Sequence, residues 1–400
     1  MTVEPAAECG HAREESAEGS TRRGLLLGAA TIAAFSAASS ARAQTPDGAA
    51  AERAEEVART LHTAQPTPAL SLAVAGPDGV LWATTLGKAD LELDVDATPA
   101  HRFKLGSVSK ALTATAAAKL VSRGVLDLDA PISTWLPDLP EHHRQTTMTQ
   151  LLTHRGGLRH YTPRDFDVTA PGRDIETRPY PTNLEILALF INDPLVGPKG
   201  GPVVYSTFGF TLASLVMEAA AEEPFPDLIR AEIGAAFELP SLDVDAPLAL
   251  KPMRASGYTD PAVYRPYAPW LPNGWANARQ TNPAYKWAGG GLIMTPSELA
   301  RFGAALLEAP ASKITADERN LLFTPLTEAT DAMPPLGLAW RIDEDAQGRR
   351  RWHHAGSLEG GRACLAVYPD LGLSIALASN AMATPVDVLG PSSDLADAFS

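Results

Sequence analysis

Residues 103–118 read F-K-L-G-S-V-S-K-A-L-T-A-T-A-A-A. Gly106 is a natural break, and the Ala- and Leu-rich run after it has strong helix propensity, so a helix is predicted to begin at about Ser107. Residues at i and i+3 share a helix face, which brings the Ser107 hydroxyl and the Lys110 amine within hydrogen-bond reach. A hydroxyl is a poor nucleophile until a neighbouring base takes its proton. A desolvated lysine can be that base, provided its free pKa of about 10.4 is lowered. The helix N-terminus adds unpaired N–H groups that suit a developing oxyanion. S-x-x-K occurs once in the chain. A single such match is commonly a solvated serine ahead of an exposed lysine, so its meaning rests on context.

Upstream, Thr21-Arg22-Arg23-Gly24 opens an apolar run that ends in small residues, and Ala41-Arg42-Ala43 has the A-x-A form of a cleavage site. Residues 1–43 are therefore expected to be a twin-arginine export signal, removed to leave Gln44 first, with the protein exported to the periplasm. The apolar run is short and weakly hydrophobic for a membrane span, so no stable span is expected after cleavage. The remaining 357 residues suffice for one large domain or two packed subdomains. The whole chain has a formal net charge of -14; without the four Arg and five Glu of the leader it carries 29 basic and 42 acidic residues, a net of -13. That balance argues against nucleic acid or anionic membrane and favours a small-molecule or peptide substrate. Cys9 leaves with the leader and Cys364 stands in an apolar run, so it is expected as a buried strand residue, with no disulfide framework.

Downstream and upstream patterns suggest one sheet shared between the chain ends. A surface helix is predicted over 53–62, and strands over 69–75 and 80–86 flank Pro77-Asp78-Gly79 as a hairpin. From about 127 to 288 the chain is rich in Pro and Gly, with helical candidates at 183–191 and 208–221. Strand patterns return at 337–342, 350–354, 363–368 and 373–379. This predicts an α/β subdomain from residues 44–125 and 289–400, with a helical, loop-rich subdomain over 126–288.

Two further clusters carry chemistry. In V-V-Y-S-T-F-G-F (203–210), Tyr205 and Thr207 offer a phenol and a hydroxyl, and a tyrosine near Lys110 could pass a proton to a leaving group. In W-H-H-A-G-S-L-E-G-G (352–361), the N–H of Ser357 could join that of Ser107 in an oxyanion hole. Gly356 would let substrate backbone approach closely. Adjacent His353 and His354 also fit one core-facing and one solvent-facing strand residue. Neither has metal-spaced partners, so no metal is expected.

In that order and at those separations, S-V-S-K, Y-S-T and H-A-G resemble the three motifs of the serine beta-lactamase and penicillin-binding-protein superfamily. L-L-T-H-R-G-G-L (151–158), W-A-G-G-G-L-I-M-T-P-S (287–297) and 368–380 extend the likeness to about residues 50–385. Y-S-T-F-G-F and Y-K-W-A-G-G-G are especially similar to the animal mitochondrial serine beta-lactamase-like proteins. The resemblance implies an α/β (α+β) fold: a mostly antiparallel five-stranded sheet flanked by terminal helices, an all-helical subdomain, and a site in the cleft between. It implies Ser107 as acylated nucleophile, Lys110 as its proton acceptor, Tyr205 as proton-relay partner and His354-Ala355-Gly356 as substrate strand, with no cofactor.

Departures from the family pattern shape the expected activity. His354 stands where many beta-lactamases have lysine, so a partly charged imidazole is expected there, with weaker anion binding. Thr207 replaces an asparagine amide and would hold a substrate amide less firmly. No S-D-N occurs, and no Glu stands out as a base for deacylation, which points to a tyrosine-dependent mechanism. The expectation is a serine hydrolase acting on amide or peptide bonds. A carboxylesterase, a beta-lactamase and a penicillin-binding protein without turnover stay open as alternatives, as do substrate identity and oligomeric state.

Overall fold

The apolar runs at the two ends of the chain are knit into one antiparallel sheet. The computed structural model describes residues 48–400 apart from 168–173, 267, 311 and 383. The expected export signal, residues 1–43, lies outside the described residues. The strands are β1 (Ala69–Gly76), β2 (Gly79–Asp90), β3 (Val95–Asp96), β4 (Arg341–Glu344), β5 (Arg350–Leu358), β6 (Gly361–Tyr368) and β7 (Leu373–Ser379), in the order β3-β2-β1-β7-β6-β5-β4. Five of these are long, as expected, and the short β3 and β4 widen the sheet to seven. The β1–β2 hairpin turns at Pro77 and Asp78 with Gly76 opposite Gly79. The two chain ends meet where β1 pairs with β7, Leu72 opposite Leu377.

Every residue of β1 and β7 is buried, because helices cover both faces of the sheet. Leu70, Leu72 and Val74 point into a core with α1 (Gly48–Ala64) and the C-terminal helix Gly390–Phe399. Each contributes about 1.5–3 kcal/mol of burial free energy. Ala69, Ala73 and Ala75 point the other way, into a larger core that includes the helix Pro296–Ala304. Cys364 is buried in β6, as expected.

Differences from the expected elements have local causes. The strand expected over 337–342 begins only at Arg341, because Gly337–Trp340 is a turn with Ala339 at φ +67° and Gly337 N–H bonded to the Trp340 carbonyl. The strand expected at 350–354 continues to Leu358, held by β6 along its length. The helix expected over 183–191 ends at Leu187. The helix expected at Ser107 starts as a 3-10 turn, Gly106–Val108, and becomes α2 (Ser109–Ser122). Within 126–288 the described chain holds short helices, the longer α3 (Thr207–Ala221) and two-residue strands. One of those strands, Asp243–Val244, pairs with Leu292–Met294, which pairs in turn with Phe103–Lys104 just ahead of the 3-10 turn.

Candidate active site

The 3-10 turn that carries Ser107 is pressed against β5 beyond His353, where the pairing with β4 ends. Gly106 sits at φ +52°, a left-handed conformation that glycine adopts without strain. A methyl group added there would lie 2.8 Å from the Ser357 nitrogen, and one added at Gly356 would lie 2.8 Å from the Ser107 nitrogen. Two glycines therefore let two backbones close to within contact. Leu358 and Gly361 flank the two-residue turn of the β5–β6 hairpin, so alternate residues of β5 bond to β6 and those between face away. Ser357 is one of the latter, and its N–H faces the Ser107 turn.

Lys110 is fully buried on the first turn of α2. Its Nζ lies 3.1 Å from Ser107 Oγ, 3.3 Å from Thr207 Oγ1 and 2.5 Å from the Gly289 carbonyl oxygen. A neutral amine has two N–H donors; Gly289 and Thr207 can accept both, which turns the lone pair toward the Ser107 hydroxyl. Burial holds the Lys110 pKa below the ordinary lysine value. The Tyr205 phenol opposes this, while the charges of Arg341 and Lys286 add to it. Neighbouring side chains anchor α2: Thr113 donates to the Ala288 carbonyl at 2.8 Å, and Leu292 N–H donates to Ser109 Oγ at 3.2 Å. The W-A-G-G-G-L stretch is thus the wall against which the lysine is desolvated.

Tyr205 precedes α3, and its hydroxyl donates to Ser107 Oγ at 2.8 Å. Ser206 caps α3 by accepting from Gly209 N–H at 3.1 Å while donating to the Arg159 carbonyl at 2.6 Å. Burial pushes the Tyr205 phenol up, but the charge and hydrogen bonding of Lys110, the bond to Ser107 and the charge of Arg341 outweigh it and hold it below its usual value. Serine, amine and phenol are thereby brought together from positions 107, 110 and 205. Thr207, expected to hold substrate, instead turns its hydroxyl inward to Lys110.

His354 is buried, and its Nδ1–H donates to the Ala355 carbonyl at 2.8 Å. The partial charge expected of this imidazole gives way to a neutral ring: burial, then the charges of Arg341 and Lys110, hold its pKa well below the usual value. Ala355 is half-buried and Gly356 buried beside it on β5. Ser357 is exposed, its hydroxyl 3.3 Å from the Met382 carbonyl oxygen.

Several groups that sequence reasoning did not single out complete the site. His154, at φ +58°, sets its ring 4.3 Å from that of Tyr205 at a tilt of 37° and accepts from Ser206 N–H through Nδ1 at 3.1 Å. Its carbonyl accepts from Val204 N–H, so this one residue templates the Tyr205 segment on both sides. His160 accepts from Thr207 N–H at 3.3 Å and is held neutral, with its pKa lowered by burial, Lys110 and Lys286 to about 4. Arg341 lies 5.8 Å from the centre of the Tyr205 ring, and its buried Nη1 has no partner among the described residues. Such an unpaired guanidinium nitrogen is costly unless something else occupies it. His154 and Lys286 stand inside stretches singled out for resemblance, which is the signal that could have flagged them. Arg341 carries no local signal.

Glu176, the carboxylate that bonds Lys286, is already engaged: Lys286 Nζ lies at 2.6 Å and Arg279 Nη2 at 2.9 Å. Burial pushes its pKa up, but Lys286 and then Arg279 outweigh it, leaving a lowered value that suits a fixed ion-pair partner better than a general base. Glu176→Gln would strand the buried Lys286 ammonium. A loss of about 3–5 kcal/mol of stability is expected, read as a lower midpoint in denaturant unfolding. An unchanged midpoint would show that the pair contributes nothing net.

A family model described as Beta-lactamase matches residues 54–397. Among curated proteins, the serine beta-lactamase-like protein LACTB, mitochondrial, of Bos taurus is 25% identical over 395 residues, covering 76% of this chain and 69% of its own length. Penicillin-binding protein 4* of Bacillus subtilis is 25% identical over 318 residues, covering 77% of this chain and 67% of its own. Among solved structures, the D-amino acid amidase of Ochrobactrum anthropi SV3 in complex with L-phenylalanine superposes with a TM-score of 0.73 at 22% identity, covering 87% of this chain and 98% of the other. EstCE1, a hydrolase with promiscuous acyltransferase activity, superposes with a TM-score of 0.69 at 18% identity, covering 88% and 99%.

Proposed function

This chain belongs to the beta-lactamase family of serine hydrolases, and from that premise we propose that it cleaves amide or peptide bonds through an acyl-enzyme on Ser107, acting on substrates that carry a carboxylate. The observation that carries the reading is the hydrogen-bonded cluster of Ser107, Lys110 and Tyr205 beside the paired N–H groups of Ser107 and Ser357. Neutral Lys110 takes the Ser107 proton as Oγ attacks the carbonyl carbon. The oxyanion forms between the two N–H donors. Tyr205 gives its proton to the departing amine and recovers one from Lys110. Water then attacks the ester as neutral Lys110 takes its proton, and the same proton passes to Ser107 Oγ as the acyl group leaves.

The preference for an anionic substrate is supported by charge. His154, His160 and His354 are held neutral, and among the described residues Arg341 is a fixed cation beside Tyr205 whose Nη1 has no partner. Arg341→Gln is expected to raise KM for a peptide with a free carboxylate by about 10–100-fold, the worth of a charged hydrogen bond. KM for an uncharged p-nitrophenyl ester should stay nearly unchanged. Equal effects on both substrates would remove Arg341 from recognition. The amidase named among the structural neighbours acts on D-amino acid amides, which makes D-alanyl peptides and amides the first panel to try.

A carboxylesterase is the second reading. Thr207 Oγ1 is engaged by Lys110, which supports a weaker hold on a substrate amide. Rates on p-nitrophenyl acetate and butyrate against D-Ala-D-Ala peptides separate the two.

A further inference from the structure

A second cavity, of about 450 Å³, opens on the side of the molecule formed by residues 245–257 and 277–281. None of Ser107, Lys110, Tyr205, His354 or Ser357 lines it. Its volume falls within the range typical of small-molecule sites. Lys104 stands in its wall with only 14% of its side chain exposed. The aliphatic stem lies under the β5–β6 hairpin, close to Gly361, and Nζ donates to the Glu359 carbonyl at 3.1 Å. The carboxylate paired with it, Asp245, is 3.9 Å away and already hydrogen-bonded to Arg254 at 3.0 Å. Two cations thus share one carboxylate in a cavity wall. Lys251, also on the lining, is committed to Asp243.

An ammonium carries three donors, and a largely buried one seeks an anion. Here one donor meets a carbonyl, and the shared carboxylate lies beyond hydrogen-bond distance. Lys104 is thus an under-bonded cation in a chain of net charge -14. Burial, together with Arg254 and Lys286, lowers the Lys104 pKa against the pull of Asp245 and Glu359. On the same lining, Leu248 and Leu250 are 99% and 98% exposed. Apolar side chains with no intramolecular packing beside an under-compensated cation make an amphipathic surface. We propose that this cavity binds a carboxylate or phosphate carried on an apolar chain, the anion between Lys104 and Arg254 and the chain along Leu248 and Leu250.

Isothermal titration of the Ser107→Ala protein with octanoate, acetate, octyl phosphate and inorganic phosphate, at fixed ionic strength, tests this. One saturable site is expected, with octanoate at least about tenfold tighter than acetate because methylene groups leave water. Octyl phosphate should likewise bind more tightly than free phosphate. Adding Lys104→Met should weaken octanoate by at least about tenfold, and Lys104→Arg should retain it. Arg254→Leu gives the same readout should the methionine variant not fold. Leu248→Ser with Leu250→Ser should weaken octanoate while leaving phosphate unaffected. No saturable binding below about 10 mM, a weak affinity by any standard, overturns the proposal, as does full binding by both Lys104→Met and Arg254→Leu. Loss through Arg341→Gln in place of Lys104→Met would assign the signal to the catalytic cleft and equally overturn it. Equal affinity for acetate and octanoate overturns the apolar half.

Discussion

Lys110→Arg protein folds but forms no acyl-enzyme. A guanidinium stays protonated at any working pH, so it cannot accept the Ser107 proton, and its planar fork does not fit a site shaped for one nitrogen among Ser107, Thr207 and Gly289. Removing a general base costs about 10²–10⁴ in rate, and the upper end is expected where the base and the nucleophile act as a unit. The measurement is the burst of product in a single turnover, or the rate of labelling by a fluorophosphonate. A normal burst would sink the assignment of Lys110. The same chemistry sets the sign of the pH dependence in the unmodified protein. Burial lowers the Lys110 pKa, so the neutral amine persists to lower pH than for an ordinary lysine. As pH falls through that lowered value, Lys110 gains a proton and kcat/KM declines.

Gly356→Ala should be nearly as damaging without touching a titratable group. The new methyl would overlap the Leu105 carbonyl oxygen and lie 2.8 Å from Ser107 N and 3.1 Å from the Gly106 carbonyl carbon. All three are backbone atoms, so no side chain can swing aside. Strand β5 must move away from the Ser107 turn, and the Ser357 N–H leaves the position where the oxyanion forms. Loss of one such donor costs about 10²–10³ in kcat, or about 2.7–4 kcal/mol. Ser357→Ala is the matching control, because it removes a hydroxyl and keeps the N–H; it should remain close to full activity. Normal acylation by Gly356→Ala would mean that Ser357 N–H is not a donor.

What could be read from the residues follows the range of the interaction. Ser107 and Lys110 are three apart, and helical geometry alone brings them together, so their pairing was visible at once. The strands were visible because both faces of β1, β6 and β7 are buried and leave continuous apolar runs. Tyr205 became visible only through the order of three motifs, since 98 residues separate it from the serine it bonds. Arg341 and His160 stayed hidden. Nothing near them in the chain records that the fold carries them to Tyr205, and the run containing Arg341 shows only a strand pattern. The neutral state of His354 is hidden for a related reason: burial by the folded chain, then the charges of Arg341 and Lys110, decide it. The inward turn of Thr207 depends likewise on a lysine 97 positions earlier.

The seam between β1 and β7 imposes a timetable. Leu70 lies opposite Ser379, so the middle of the sheet has to wait until residue 379 has left the ribosome. Until then β1 has only β2 beside it and leaves one edge open to any passing strand. Ser107 emerges about 250 residues ahead of Ser357, so on the proposed mechanism a chain ending before Ser357 lacks one of the two oxyanion donors. Contacts of such long range also make for slow closure of the sheet.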